Sequence, residues 1–579
     1  MSRCVYRKHL FLFVLFLYPL CNIYAANDIH NLIYFGCSFT QGNSWARYLS
    51  ENYGQEAKAG YTNFAISGTE TRALPAERNI FYSTNPKYHK NDIFLTYMGP
   101  NDFSYYTTVI QNNIALTIHG LDYYPAFLGG LEIPHGQIGP NTAAFLNERI
   151  ALYRAHVVDL ASRSAKNQII FTHIDEEHRH RLFVANDGPL NFVVEEWNRR
   201  LVQSVSGVNA NIAIIDLYRL TTEINQNEEM YMGAGNVFYD LSLHPMQRGY
   251  KIMSNYVVSI IDAPILVGLA RENVIRIGEV HGNGILHELQ TLDSSDDGKM
   301  KAIILGNIER TNFNNDSNYN GFNGTLWDGV IGALYTKSNI TFGGAFGRYY
   351  YPFDFSHHRG KGTVQETLGS IFGKLNFKDK YSISVVLGFG QSDYDITRYI
   401  VLGMSNREEQ GKVDSNHLFG NVQFSGTFTL AGNYMISPSI GMDMQRANGF
   451  KYNENGVVRS TTMAFNIADR DSLKPYVGAN LKKQIIYDKV TFVPHVSVNV
   501  AYELISAEEG DVKAKLLSIP TREFQGFYAV NTPRCIGYLQ LGANISRANM
   551  EFGVNYNLAE NFSTLTSHQI QAMVRYVFG

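Results

Sequence analysis

The chain has 579 residues, a net charge of −3, 17% charged residues and 45% hydrophobic residues. These values exclude a disordered chain and a strongly basic nucleic-acid binder. After the N-terminus no apolar run is long enough for a membrane-spanning helix, which excludes a multi-helix membrane protein. The 50 glycines, 37 tyrosines and 35 phenylalanines favour many strands, in either a transmembrane β-barrel or a large soluble all-β protein. Four cysteines, two of them near the N-terminus, exclude a disulfide scaffold.

The first residues have the pattern of an export signal. A basic segment at residues 3–8 precedes an apolar stretch at residues 10–20, and the small pair Ala25-Ala26 follows. The apolar stretch is too short to remain as a membrane-spanning helix. We therefore expect a signal peptide over residues 1–26 and a mature chain that folds outside the cytoplasm.

Residues 27–264 alternate short apolar runs with helical patterns. The runs predicted as strands are Leu32–Phe35, Tyr61–Ile66, Ile93–Met98, Gln168–Thr172 and Ile212–Leu217, and the predicted helices are Trp45–Tyr53, Ala143–Ser164, Phe192–Val205 and Met246–Ile261. Strands that alternate with helices pair in parallel and form an α/β/α three-layer domain. In such a domain functional groups gather at the carboxyl ends of the strands.

Residues 300–579 have the period of two that is typical of strands. In the last segment Ile570, Val574 and Phe578 share one face, while Gln571 and Arg575 lie on the other. Short polar turns, at 377–380, 431–433, 487–489 and 547–549, separate several such segments. This half is predicted to be an antiparallel transmembrane β-barrel of about 12 strands.

A helical apolar pattern lies between the halves, at residues 265–292, and a polar turn follows it within a predicted linker of residues 265–299. Two interpretations stay open from composition. The segment is either a linker helix that threads the barrel or an ordinary connection between domains.

Four short segments carry the candidate chemistry, and three of them follow predicted strands. Ser38 comes after a strand and a glycine turn, which exposes its hydroxyl at the carboxyl edge of the sheet. Gly68 ends the segment Asn63–Gly68, and Asn101 lies in the turn Gly99-Pro-Asn-Asp102. A glycine N–H and an asparagine amide are both suitable donors for an oxyanion.

The fourth segment is Asp240-Leu-Ser-Leu-His244-Pro245, directly before a predicted helix. Pro245 suits the first helical turn and places His244 at its entrance. A histidine there can take a proton from a serine, and a nearby carboxylate can set its tautomer.

In this order the four segments resemble those of the GDSL/SGNH hydrolase family, and the whole chain resembles the autotransporter esterases of that family. The resemblance implies that Ser38 is the nucleophile and that His244 is the general base. It implies an oxyanion hole made by the N–H groups of Ser38 and Gly68 and the side chain of Asn101. Over residues 300–579 the segments Leu473-Lys-Pro-Tyr476 and Phe492-Val-Pro-His495 resemble strand motifs of autotransporter barrels.

The chain departs from the family pattern at two positions of the site. Cys37 stands where the family has an aspartate before the serine, so a cysteine nucleophile is a minor alternative. The family's acid lies three residues before the histidine, where this chain has Leu241, and Asp240 lies four before. Either a local bulge lets Asp240 act as the acid, or the site is a Ser–His dyad. A third departure lies outside the site. Barrels of this family usually end in an aromatic residue, and here Gly579 follows Phe578, which concerns recognition by the barrel-assembly machinery.

A run of histidines and acids follows the strand predicted at 168–172: His173, Asp175, Glu176, Glu177, His178 and His180. No tetrahedral zinc spacing stands out, so we expect a solvated polar loop and no metal site. The resemblance implies no organic cofactor either.

The predicted protein is a surface-exposed serine ester hydrolase of the bacterial outer membrane, an esterase, lipase or lysophospholipase, with its catalytic domain on the cell surface or released. The expected partners are an acyl ester or lysophospholipid, outer-membrane lipid, and the barrel-assembly and periplasmic chaperone machinery. We expect a monomer and no nucleic acid. The alternatives are a carbohydrate O-acetyl esterase, and a surface adhesin or binding passenger that has lost its acid. A porin with a soluble cap is disfavoured by the four ordered segments.

Overall fold

The computed structural model describes residues 29–56, 62–84, 89, 91–102, 140–163, 165–176, 179, 188–240, 243–292, 297–313, 321–378, 380–505, 511–520, 522–527, 534–561 and 565–578. The predicted signal peptide lies outside these residues.

The N-terminal part is built on a parallel sheet of four strands in the order β1-β2-β3-β4. The strands are β1 (Leu32–Gly36), β2 (Ile93–Tyr97), β3 (Asn167–Phe171) and β4 (Asn211–Ile215). Almost every residue in them is buried, as expected for short apolar runs covered on both faces by helices. Four of the five predicted strands are confirmed.

The fifth predicted strand, Tyr61–Ile66, is not confirmed. The structure describes this segment from Thr62 onward, and these residues do not form a strand. The segment is extended and follows β1, because Tyr34 N donates to Thr62 O (2.8 Å) and Phe64 N donates to Tyr34 O (2.8 Å). A single bridge, Tyr34 to Asn63, is too short to count as a ladder. After β1 the chain first lies along one side of β1, at residues 62–66, and later along its other side, as β2. The carboxyl end of β1 is therefore a topological switch point.

Helices cover this sheet. They are α1 (Trp45–Asn52), α2 (Leu74–Thr84), α3 (Pro140–Ser162), α4 (Gly188–Val205), α5 (Leu217–Gln226), α6 (Glu228–Met232) and α7 (Gln247–Ile261). The four predicted helices correspond to α1, α3, α4 and α7. The sequence interpretation missed α2, α5 and α6.

The C-terminal part is a closed antiparallel barrel, and twelve long strands of the described residues form its wall. They are β5 (Met300–Phe313), β6 (Phe322–Lys337), β7 (Ile340–Phe355), β8 (Gly360–Phe377), β9 (Tyr381–Leu402), β10 (Ser405–Gly426), β12 (Tyr434–Ala447), β15 (Arg470–Lys483), β17 (Val490–Tyr502), β20 (Cys535–Arg547), β21 (Met550–Glu560) and β22 (Leu565–Phe578). Closure comes from pairing of β22 with β5 and of β10 with β12. The short strands β11 (Phe428–Leu430) and β16 (Ile485–Tyr487) extend the wall locally.

The alternation predicted for the last strand is confirmed. Ile570 is 59% exposed on the outer face, while Gln571 and Arg575 are buried inside. Residues at the predicted tight turns, such as Asn433 and Asp488, have positive φ angles. The wall therefore has an apolar outer face suited to lipid and a polar inner face.

Helix α8 (Ala263–Thr291) runs through the barrel, as one of the two open interpretations predicted. The helix 247–291, which joins α7 and α8, is long and apolar enough to cross a membrane by length and composition, but it is mostly buried in the protein. Ion pairs join α8 to the wall: Arg276 to Glu309 (2.7 Å), Glu272 to Arg470 (3.0 Å), Glu279 to Lys474 and Glu288 to Arg575.

A second small sheet, which we call the outer sheet, contains β13 (Phe450–Asn453), β14 (Met463–Ile467), β18 (Val512–Leu516) and β19 (Phe524–Gln525). It contacts the α/β domain, since Gln525 N donates to Asn211 Oδ1 at 2.7 Å beside β4. Arg407 of β10 pairs with Glu223 of α5 at 2.8 Å. These contacts hold the α/β domain against one end of the barrel.

Candidate active site

The structure brings Ser38 and His244 together. Ser38 follows β1 in a turn closed by Thr40 N donating to Cys37 O at 2.9 Å. Its Oγ lies 2.8 Å from Nε2 of His244, and both residues are partly exposed. This is the contact that a serine nucleophile and a histidine base require.

A tight loop before α7 presents His244. The residues at its base pair across the loop, with a bridge from Tyr239 to Pro245 and a hydrogen bond from Met246 N to Phe238 O at 2.7 Å. Leu243 has a φ of 66°, which is unusual for a branched side chain. The loop thus holds the histidine backbone in a conformation set by the residues on both sides.

Asp240 lies in the same loop, against the backbone of His244. Its Oδ1 accepts a hydrogen bond from His244 N at 3.1 Å, and Asp240 N donates to His244 O at 2.9 Å. Leu241, at the position of the family's acid, lies outside the described residues. Asp240 is therefore close enough to fix the histidine loop, even though it is displaced by one residue.

Asn101 is hydrogen-bonded to the residue that follows Gly68. Asn101 Nδ2 donates to Thr69 O at 2.8 Å, directly after Gly68. Gly68 has a φ of 75°, where a side chain would strain the backbone. Ser67 N donates to Gln41 Oε1 at 2.9 Å, which links this segment to the turn of Ser38. The two predicted oxyanion donors thus share one rim with the serine turn.

Two buried carboxyl groups beneath this rim were missed by sequence reasoning. Asp102 accepts from Thr71 N (3.0 Å) and Thr71 Oγ1 (2.8 Å), and its Oδ1 lies 3.1 Å from Arg149 Nε. Burial raises the pKa of Asp102 to about 6, against the opposing effect of Arg149. The sequence offered a signal for this residue, because Asp102 directly follows Asn101 in the turn Gly99-Pro-Asn-Asp102.

The second carboxyl group belongs to Glu77 of α2, which is fully buried. Its Oε2 accepts a hydrogen bond from Gly36 N at 2.9 Å, two residues before Ser38. Burial raises the pKa of Glu77 to about 8. An acidic residue in a helix pattern resembles a solvated charge, so the sequence contained no signal for this contact.

Cys37 points into the core and is fully buried. Burial raises the pKa of its thiol to about 12. A neutral, inaccessible thiol is not a nucleophile at neutral pH, so the geometry argues against the cysteine alternative.

The expectation of a solvated loop after β3 is wrong. His173, Asp175 and Glu176 are buried beneath the candidate site, because the chain turns inward after the strand, and Glu177, His178 and His180 lie outside the described residues. Among the residues that the structure describes, no group of three or more His, Cys, Asp or Glu could hold a metal ion.

Two family profiles match the chain, on separate segments. Residues 32–257 match the GDSL-like Lipase/Acylhydrolase family, and residues 305–557 match the Autotransporter beta-domain. Among curated proteins, an uncharacterized protein in the trpE-trpG intergenic region of Pseudomonas putida is 24% identical over 50% of this chain and 48% of its own length. Lipase 1 of Photorhabdus luminescens is 27% identical over 45% of this chain and 38% of its own. The matched segment thus spans less than half the length of either relative.

Among solved structures, the translocator domain of autotransporter NalP from Neisseria meningitidis aligns with 53% of this chain and 97% of its own. Its TM-score is 0.41 and its sequence identity is 13%. The closed barrel with its apolar outer face and the autotransporter match place the protein in a bacterial outer membrane, with the α/β domain exposed. The α/β domain thus matches the GDSL-like Lipase/Acylhydrolase family, and the barrel matches the Autotransporter beta-domain.

Proposed function

We propose that the protein hydrolyses carboxylic esters at the cell surface through an acyl-enzyme at Ser38. The observation that supports this most is the 2.8 Å contact between Ser38 Oγ and His244 Nε2 at the carboxyl edge of the parallel sheet. The match of residues 32–257 to the GDSL-like acylhydrolases supports the same reaction class.

In the proposed mechanism Ser38 Oγ attacks the ester carbonyl as its proton passes to His244 Nε2. The N–H groups of Ser38 and Gly68 and the amide of Asn101 stabilise the oxyanion, for which Asn101 Nδ2 must turn from Thr69 O. The protonated His244 then gives its proton to the departing alcohol. A water molecule then gives a proton to His244 and attacks the carbonyl of the acyl-enzyme. The bond to Ser38 Oγ breaks, His244 returns the proton to this oxygen, and the carboxylic acid leaves.

The third member of the site is Asp240, which holds the backbone of His244. We propose that it also stabilises the charged imidazole during turnover. No metal and no organic cofactor takes part in this scheme. A barrel in the outer membrane keeps the site close to lipid, so the proposed substrates are acyl lipids such as lysophospholipids, as well as simple esters.

The test uses the full chain in outer-membrane vesicles. Hydrolysis of p-nitrophenyl esters and of a lysophospholipid, and labelling by a fluorophosphonate, are compared for the natural chain, Ser38→Ala and Ser162→Ala. Ser162 is an exposed serine on α3 and serves as the control. We expect Ser38→Ala to lose labelling and at least about 10³-fold in rate, with Ser162→Ala unchanged. Equal activity in Ser38→Ala would refute the proposal.

A further inference from the structure

A buried arginine outside the four family segments contacts the neighbours of three site residues. Arg179 follows the inward turn after β3 and is 3% exposed. A buried guanidinium is costly to desolvate, so it is retained only where hydrogen bonds and an opposite charge compensate it.

The guanidinium of Arg179 donates to two carbonyl groups. Nη1 donates to Pro100 O at 2.9 Å, and Pro100 precedes the oxyanion donor Asn101. Nε donates to Leu243 O at 3.1 Å, and Leu243 precedes the base His244. One rigid, planar group thus spans the two loops that must keep a fixed separation for the reaction.

The same guanidinium lies over an aromatic ring beside the nucleophile. Arg179 Cζ is 5.0 Å from the ring centre of Phe39, the residue after Ser38. The Phe39 ring is in turn 5.1 Å from the His244 ring. The arginine therefore packs against the third element of the site through a cation–π contact.

Buried partners hold Arg179 in this position. Its Nη1 lies 3.0 Å from Glu176 Oε1, which is 3.3 Å from His173 Nε2. Glu176 N donates to Asn191 Oδ1 of α4 at 3.1 Å. At Gly99, whose φ is 132°, a Cβ would lie 2.9 Å from His173 Cδ2, so this glycine lets the end of β2 approach the cluster. The cluster is thus packed directly under the site.

We propose that Arg179 is a positioning residue for the ester hydrolysis, an inference that rests on the function proposed above. It sets the distance between the loops of Asn101 and His244 and holds both against Phe39, next to Ser38. Lysine cannot replace it, because a single ammonium lacks the planar fork that reaches both carbonyls and Glu176.

The test measures kcat and KM per active site, with sites counted by fluorophosphonate titration in the full-length protein. The variants are Arg179→Lys and the double variant Arg179→Met/Glu176→Gln, which leaves no unpaired buried charge. The control is Arg78→Met, which removes a partly buried arginine of α2 that pairs with Asp159 of α3 at 2.9 Å.

For both Arg179 variants we expect kcat to fall about 10-fold to 100-fold, while KM stays within about threefold, because the loops are displaced from the transition-state geometry. Binding of an alkyl boronic acid, which forms a tetrahedral adduct, should weaken in step with kcat. Arg78→Met should keep both values.

Two results would overturn the inference while the natural chain stays active. One is an unchanged kcat per titrated site in both variants, and the other is a loss confined to the number of titratable sites, since that indicates only a folding role. If the natural chain itself neither hydrolyses esters nor reacts with the fluorophosphonate, the proposed function fails, and the role of Arg179 fails with it.

Discussion

The α/β domain and the barrel distribute polarity in opposite ways. In the domain the sheet is apolar and closed to water, with Leu95 of β2 fully buried. In the barrel the apolar side chains face outward, with Ile371 68% exposed, while Arg575 is 1% exposed inside. Water surrounds the first part and lipid surrounds the second, so the same hydrophobic effect produces both arrangements.

The two parts also differ in where their buried ion pairs lie. In the barrel several of them join α8 to the wall, as in the pairs Arg276–Glu309 and Glu272–Arg470, and others, such as Arg398–Glu454, join the wall to the segment after β13. In the domain they are concentrated under one edge of the sheet, as in Arg149–Asp102 and Arg179–Glu176. We therefore expect loss of a barrel ion pair to affect stability, and loss of an ion pair under the sheet edge to affect the candidate site.

The largest expected effect is loss of the base. His244→Ala removes the only proton acceptor in contact with Ser38 Oγ among the described residues, so ester hydrolysis should fall about 10³-fold or more. His358→Gln, an exposed histidine of the barrel, is the matched control and should keep its rate. Initial rates on p-nitrophenyl esters measure both. A His244→Ala rate within tenfold of the natural chain would contradict the assignment.

A smaller effect is expected for Asp240→Asn. The amide oxygen can still accept from His244 N, so the loop stays in place, but the negative charge that favours the imidazolium is lost. We expect kcat to fall about 10-fold to 100-fold. The pH profile of kcat is the measurement. An unchanged rate would mean that the site works as a Ser–His dyad.

Breaking a barrel ion pair should affect stability and leave chemistry intact. Lys474→Met removes one of the two cations that pair with Glu279 of α8, and Arg276 remains at 2.9 Å. The expected cost is about 1–3 kcal/mol, which should lower the melting temperature of the barrel by about 2–10 °C. The heat-dependent gel shift measures it, with Lys412→Met at an exposed wall position as the control. Ester turnover per active site should stay within about twofold. A loss of ester turnover without a loss of thermal stability would contradict the separation of roles between the barrel and the α/β domain.

The smallest expected effect is a pH-dependent shift of domain stability. Burial raises the pKa of Glu77 from 4.5 to about 8, so the folded domain keeps a proton that the unfolded chain loses. Stability therefore falls as the pH rises from about 4.5 to 8. Glu77→Gln should flatten this decline, so that it melts a few degrees above the natural domain at pH 8.5 and equally at pH 5. Tryptophan fluorescence from Trp45 and Trp197 follows the melting, and parallel pH profiles would contradict the assignment.

Most of the architecture could be predicted, because the spacing of apolar residues along the chain is a property of local sequence. Short apolar runs such as Ile93–Met98 indicated the parallel sheet, and the alternation around Ile570 and Gln571 indicated a wall between lipid and water. The small outer sheet could not be predicted, since β18 and β19 are too short for a periodic signal. The domain limits at 27–264, 265–299 and 300–579 stay predictions.

Candidate residues in distinctive turns could be proposed from the sequence, and residues that act only through long-range contacts could not. Ser38, Gly68, Asn101 and His244 lie in turns with recognisable neighbours. The structure places Ser38 against His244 and Asn101 against Thr69, and the catalytic roles of the four residues stay predictions. Arg179 was not recognised, because its value depends on carbonyl groups at Pro100 and Leu243 that are far apart in sequence. Such long-range contacts are set by the fold as a whole.

The proposed acyl-enzyme has its acyl group on Ser38. The most direct measurement is an acid quench of the full-length protein during turnover of a p-nitrophenyl ester, followed by mass mapping of its peptides. We expect an acyl group on Ser38 that is absent from Ser38→Ala. An acyl group on Cys37 or elsewhere, or steady turnover with no acylated peptide, would contradict it.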